Sequence, residues 1–199
     1  MKNEDIKTPE FRLCFPQLFT TKRFEDSGKD LYSCMAVFPK TTDLSAIKQI
    51  ADAAFKAKFP NGARASRKPI RDGNEMVEGW GDFFKDTWFI RLTSQRKPVV
   101  VDVNRLAITD PSLVYSGCYA RAAIHAYAYD VKGNKGASFG FDAIQILRDG
   151  EPLSGGAAAA KLFDDGVTGD FDAAAKSAAA APASAPASDK SSSGSGLFD

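Results

Sequence analysis

The chain of 199 residues balances 26 Lys and Arg against 25 Asp and Glu and is 44% hydrophobic, enough apolar content for one globular core. No run approaches the ~18 apolar residues of a membrane helix, and the N-terminus lacks an apolar signal core, which points to a soluble, cytoplasmic protein. Cys14, Cys34 and Cys118 are odd in number and widely spaced, which argues against a disulfide framework and for buried, reduced thiols.

Taken in chain order, Phe11 to Phe19 reads as a first strand, with Phe11, Leu13 and Phe15 alternating until Pro16 removes a ladder donor and implies an edge or a bulge. Leu31 to Phe38 is a second strand, apolar on both faces and therefore central, ended by Pro39. From Asp43 the period changes. Leu44, Ile47, Ile50, Ala51, Ala54 and Phe55 recur at helical spacing, with Asp43 as the expected N-cap, Lys56 and Lys58 near the C-terminus, and Pro60-Asn61-Gly62 as the stop. Such an amphipathic helix suits the plug of a barrel and carries no chemistry of its own.

Residues 62 to 79 are basic, with Arg64, Arg67, Lys68 and Arg71, and they lead into a run of aromatics from Trp80 to Phe89. Bases interleaved with rings suit a single-strand groove, where cations follow phosphates and rings stack on nucleobases. Trp88, Ile90 and Leu92 alternate as a core strand, which leaves Trp80, Phe84, Lys85 and Arg91 as the expected contacts. Arg96-Lys97-Pro98 then forms a basic turn before the short Val99 to Val101 strand, and Lys97 and Arg96 are placed to reach phosphate, with plain surface solvation as the competing reading.

Residues 118 to 130 alternate strictly. Cys118, Ala120, Ala122, Ile124, Ala126 and Ala128 form a small apolar face, and Tyr119, Arg121, His125, Tyr127 and Tyr129 form the opposite one. A row of rings plus a guanidinium is expected to receive bases, with Tyr119, Arg121, Tyr127 and Tyr129 as the main contacts; packing beneath a helix or a second sheet is the competing reading. Gly133 and Gly136 around Asn134 mark a hairpin whose tip lysines, Lys132 and Lys135, would overhang that face, and Ser138 to Leu147 returns as the partner strand.

After about residue 160 the composition shifts to Ala, Ser, Pro, Gly and Asp. Residues 1–160 hold 23 basic and 19 acidic side chains, and residues 161–199 hold 3 and 6. The reading is a binding domain over 1–160 followed by a flexible acidic tail over 161–199, whose end, Leu197, Phe198 and Asp199, is suited to partner recruitment. Five or so strands, one helix, a long hairpin and aromatic faces give the expected fold: mainly β, a five-stranded Greek-key barrel of the OB type with one amphipathic helix.

The stretch from Tyr115-Ser-Gly-Cys-Tyr-Ala-Arg through Tyr127-Ala-Tyr-Asp, followed by Lys132-Gly-Asn-Lys-Gly and Arg148-Asp-Gly-Glu-Pro-Leu153, resembles a family of tailed-phage single-stranded DNA-binding proteins. The helix at 43 to 58, the Lys97-Pro98-Val99-Val100 turn and the Phe-bearing acidic end fit the same pattern. The resemblance implies an OB-fold protein without enzymatic activity that coats single-stranded DNA in phage replication and recombination, with little sequence preference and a tail that recruits replication proteins such as polymerase or helicase. Two other classes remain open from the residues. A metal-dependent nuclease would need carboxylates such as Asp82, Asp86, Asp102, Asp130 and Asp142 to converge, and an RNA-binding or annealing protein would use the same ring face. No cofactor is expected, and the single histidine, without paired cysteines, supports no closed metal site.

Overall fold

The computed structural model describes residues 5–24, 28–131 and 133–153. Strands β1 (Ile6–Lys7), β2 (Phe11–Phe24) and β3 (Lys29–Pro39) are followed by helix α1 (Ser45–Lys58), the short β4 (Arg71–Asp72) and a compact helical segment that includes α2 (Val77–Trp80). Then come β5 (Thr87–Ser94), β6 (Val99–Val101), β7 (Tyr119–Val131) and β8 (Asn134–Arg148).

Five of these strands close on themselves. β2 pairs with β3, β3 with β5, β5 with β8, β8 with β7, and β7 with the start of β2. All the pairings in that ring are antiparallel except β5 with β8. Closure removes the free edges that an open sheet would expose. This is the expected OB-type barrel. The short strands are additions to it: β1 continues β2 backwards along β7, and Thr8 bridges the gap, its backbone N–H donating to the Ala122 carbonyl at 2.9 Å while its hydroxyl accepts from the Ala122 N–H at 3.0 Å.

Alternation explains the core. Leu13, Ala36, Phe38, Ile90, Leu92, Ala122, Ile124, Phe139 and Phe141 point into the barrel and are almost fully buried, each large side chain contributing roughly 1.5–3 kcal/mol by leaving water. Helix α1 packs on β7 and β8, inserting Ile47 and Ala51 beside Leu44 into the same cluster, as a plug. Its start differs from expectation: Leu44 occupies the cap position, and Asp43, one residue earlier, accepts the Ser45 N–H at 2.9 Å in a local turn.

The first strand outruns its expected end at Phe19, and Pro16 lies in a bulge as expected. β2 runs on to Phe24 through a register shift between Cys14 and Gln17, where Phe15 takes a left-handed φ of 50°, so the bulge absorbs the missing donor. The apolar outer face of β3 is also explained. Met35 and Val37 meet Cys14, Phe84 and Phe89 in a second cluster outside the barrel, covered by the segment from Gly73 to Phe84. Burial pushes the Cys14 thiol up to about 12 and raises that of Cys34 as well, and all three cysteines are buried and free. No helix among the described residues is long and apolar enough to cross a membrane.

Candidate nucleic-acid interface

The alternation of β7 holds in three dimensions. Ala120, Ala122, Ile124 and Ala126 face the core, while His125, Tyr127 and Tyr129 face outward, with Tyr127 38% exposed. These three rings form the floor of a groove of about 1100 Å³. Its walls are the outer ends of two hairpins, Phe24, Lys29 and Leu31 from β2–β3 and Val131 and Asn134 from β7–β8, and β5 supplies Arg91, Thr93 and Ser94 between them.

Each ring is held by its neighbour. The Tyr127 hydroxyl lies 3.1 Å from the Thr93 hydroxyl across the sheet. Tyr129 stands opposite Gly136, and His125 stands opposite Gly140. The groove is cationic as well as aromatic: among the described residues that line it, Lys29, Arg67, Arg91 and Arg96 are positive and Asp142, which Arg96 contacts at 3.4 Å, is negative. The Arg91 guanidinium sits 5.7 Å from the centre of the Phe24 ring, a spacing at which a cation and a π-face attract. A groove of positive charge over flat rings attracts a phosphate backbone and gives bases a stacking surface.

The structure brings together three of the expected contacts, Arg91, Tyr127 and Tyr129, and separates others from them. Tyr119 lies eight residues before Tyr127 on β7, roughly 26 Å along an extended strand. Its ring is already engaged by Arg148 at 3.3 Å and Arg12 at 4.9 Å from the centroid. Arg121 donates through Nε to Gln145 at 2.8 Å and lies outside the groove lining. Lys135 pairs with Asp130 and lies 5.3 Å from the centre of the Phe59 ring, beside the end of α1, because the hairpin register puts it on the opposite face from Tyr129.

Phe84 is a correction: it is fully buried, 5.5 Å from Phe89 edge-on, and serves as the centre of the outer cluster. Lys85 is exposed but precedes β5 at the end away from Thr93, and Lys97 is exposed in the turn after β5 and outside the groove, where its neighbour Arg96 takes the lining position. The Trp80 side chain, Lys132 and the tail residues Leu197, Phe198 and Asp199 lie outside the described residues.

Sequence reasoning gave Lys29 no role, counted Arg67 only among the basic residues of the 62–79 loop and named Arg96 only beside Lys97 as able to reach phosphate; all three line the groove. Arg67 reaches it because residues 66 and 67 run beside the β7–β8 hairpin, with the Ser66 N–H donating to the Lys135 carbonyl at 2.7 Å and an isolated bridge joining Arg67 to Gly136. The basic composition of the 62–79 loop was the available signal; its docking against the hairpin was not.

Among the described residues, the His, Asp and Glu side chains that converge are Asp5, His125 and Asp142, with the His125 Nδ1 3.7 Å from Asp5 and 3.4 Å from Asp142. Of the five carboxylates that a nuclease reading would gather, Asp142 alone joins this group. Asp102 instead accepts the Leu106 N–H at 2.8 Å, and Asp130 faces Lys135.

The model of a family described as the single-stranded DNA-binding protein of Enterobacter phage Enc34 matches residues 4–173. The chain belongs to this family. It is also 30% identical over 174 residues to protein p50 of Acyrthosiphon pisum secondary endosymbiont phage 1, spanning 80% of this chain and 92% of that one. Among solved structures, the Enc34 single-stranded DNA-binding protein in complex with single-stranded DNA shares the fold with a TM-score of 0.65 at 24% identity, over 75% of this chain and 89% of that one. Bacteriophage T7 gp2.5, a single-stranded DNA-binding protein, follows with a TM-score of 0.54 at 12% identity, over 83% and 98% of the two chains. Likeness at those identities supports the barrel, and membership of the family rests on the sequence match.

Proposed function

We propose that this chain binds single-stranded DNA without marked sequence preference, along the groove floored by His125, Tyr127 and Tyr129, and protects it during phage replication and recombination. The observation that carries the reading is the groove itself, three outward rings flanked by Lys29, Arg67, Arg91 and Arg96. Cations draw in the backbone with release of counterions, and each base stacked on a ring contributes about 1–3 kcal/mol. Stacking of this kind tolerates any base because every base has a π-face, whereas a duplex hides those faces inside its own stack.

In this reading residues 1–160 are the binding domain and residues 161–199 are a tail, with 6 acidic against 3 basic residues, that recruits replication proteins through Leu197, Phe198 and Asp199. The protein works as a binder in the cytoplasm of the infected host and makes or breaks no bond. Support comes from the family and from the dispersal of Asp82, Asp86, Asp102 and Asp130 away from the group that converges among the described residues.

Fluorescence titration with oligo-dT and with its duplex tests the proposal. The single strand is expected to bind at least tenfold tighter, with log K falling linearly as log salt rises, and the DNA is expected to stay intact after incubation with Mg²⁺ or Mn²⁺. Equal affinity for the two forms, or strand cleavage, refutes it.

A further inference from the structure

Two of the three floor rings, Tyr129 and His125, lean over the facing strand β8. A Cβ added to Gly136 would lie 2.5 Å from the Tyr129 hydroxyl oxygen and 2.7 Å from its ring carbon Cζ. A Cβ added to Gly140 would meet the His125 Nε2 and would lie 2.6 Å from its Cε1. The distal ends of both rings therefore occupy the volume that a side chain on β8 would take, directly across the ladder from their own positions. Between them, Tyr127 faces Ser138 and is tethered through its hydroxyl to Thr93.

We propose that Gly136 and Gly140 are positioning residues of the interface: by withholding a Cβ they let the Tyr129 and His125 rings settle onto β8, so that with Tyr127 they present a level floor to incoming bases. The inference rests on the single-strand reading above. Its physical content is preorganisation, since a ring already fixed in its stacking orientation loses less freedom when a base arrives. A side chain at either position lifts its ring off the sheet and into the groove, narrowing the space the strand must enter.

Neither glycine has a positive φ, so alanine fits the backbone at both positions, and the atoms it meets are the far ends of rings that can swing away. That combination allows a folded variant whose defect is confined to the floor.

A double-mutant cycle of Gly136→Ala with Tyr129→Ala, read as oligo-dT affinity at several salt concentrations, tests the assignment. Each single variant should bind on the order of tenfold more weakly, the double should bind no more weakly than Tyr129→Ala alone, and the slope of log K against log salt should stay that of the wild type, because phosphate contacts are untouched. Gly140→Ala with His125→Ala forms a second cycle with the same expectation, which serves if the first pair folds poorly. Wild-type affinity in both glycine variants overturns the proposal, as does a glycine effect that adds in full to the ring deletion. If Tyr129→Ala and His125→Ala bind normally while the wild type still prefers oligo-dT to duplex, the positioning role falls and the single-strand reading stands. Absence of that preference in the wild type sinks both.

Discussion

At the scale of single residues, the outward ring and the buried ring are chemically alike and energetically opposite. Tyr127 is 38% exposed on the floor of a cationic groove, whereas Phe84 is fully enclosed between Phe83 at 4.6 Å and Phe89 at 5.5 Å. Replacing Phe84 by Ala removes that contact set and should destabilise the protein by about 3–5 kcal/mol, seen as a lower urea midpoint at an unchanged m-value. At urea-free equilibrium the folded fraction should still bind oligo-dT normally, since Phe84 lies outside the groove lining. The distinction between the two rings was only half legible in the sequence. Strict alternation along a strand told inside from outside at Tyr127, but Phe84 sits in an irregular turn where parity carries no information. The signal that pointed to its burial was remote: a second strand apolar on both faces demanded a cover, and Met35 and Val37 supply the surface that Phe84 covers.

At the scale of elements, short helical turns are held by the same local device. Asp43, Asp72 and Asp110 each accept the backbone N–H two residues ahead, from Ser45 at 2.9 Å, Asn74 at 3.0 Å and Ser112 at 2.9 Å. Those hydrogen bonds favour the ionised carboxylate and hold all three below the ordinary value of 3.8, with the Ser112 hydroxyl contributing most at Asp110. A carboxyl depressed in the folded state stabilises fully above its unfolded value, and that contribution is lost as pH falls through the folded one. Urea midpoints of the wild type should therefore drop below pH 4, and a triple Asp→Asn variant, which keeps an acceptor without a charge, should show a shallower fall over the same range. An identical acid profile in the two proteins would contradict the assignment. Element existence was largely legible because β7, β8 and α1 have clean periods, while element ends were not: β2 runs past Phe19 to Phe24, and β1 is recognisable only from its pairing with Ile124 and Ala123.

At the scale of the whole molecule, barrel closure decides which parts of the sequence meet. Pairing of β7 with β8 and of β2 with β3 builds two long hairpins beside β5, and Phe24 and Lys29 of one join Tyr129 and Val131 of the other in the lining of one groove. No local pattern reveals that meeting, which is why Lys29 escaped notice while Tyr119 and Arg121, on the same face of the same strand, were drawn in. The length of β7 separates them: what alternation presents as one row, the fold divides into a groove floor and a distant Arg12–Tyr119–Arg148 stack. The most direct measurement of the central claim is oligo-dT affinity of a folded Tyr127→Ala/Tyr129→Ala variant beside Tyr119→Ala. The groove predicts a loss of about 10- to 100-fold in the first and near-normal binding in the second. Full binding by the double variant, or a larger loss in Tyr119→Ala, would place the nucleic acid elsewhere on the barrel.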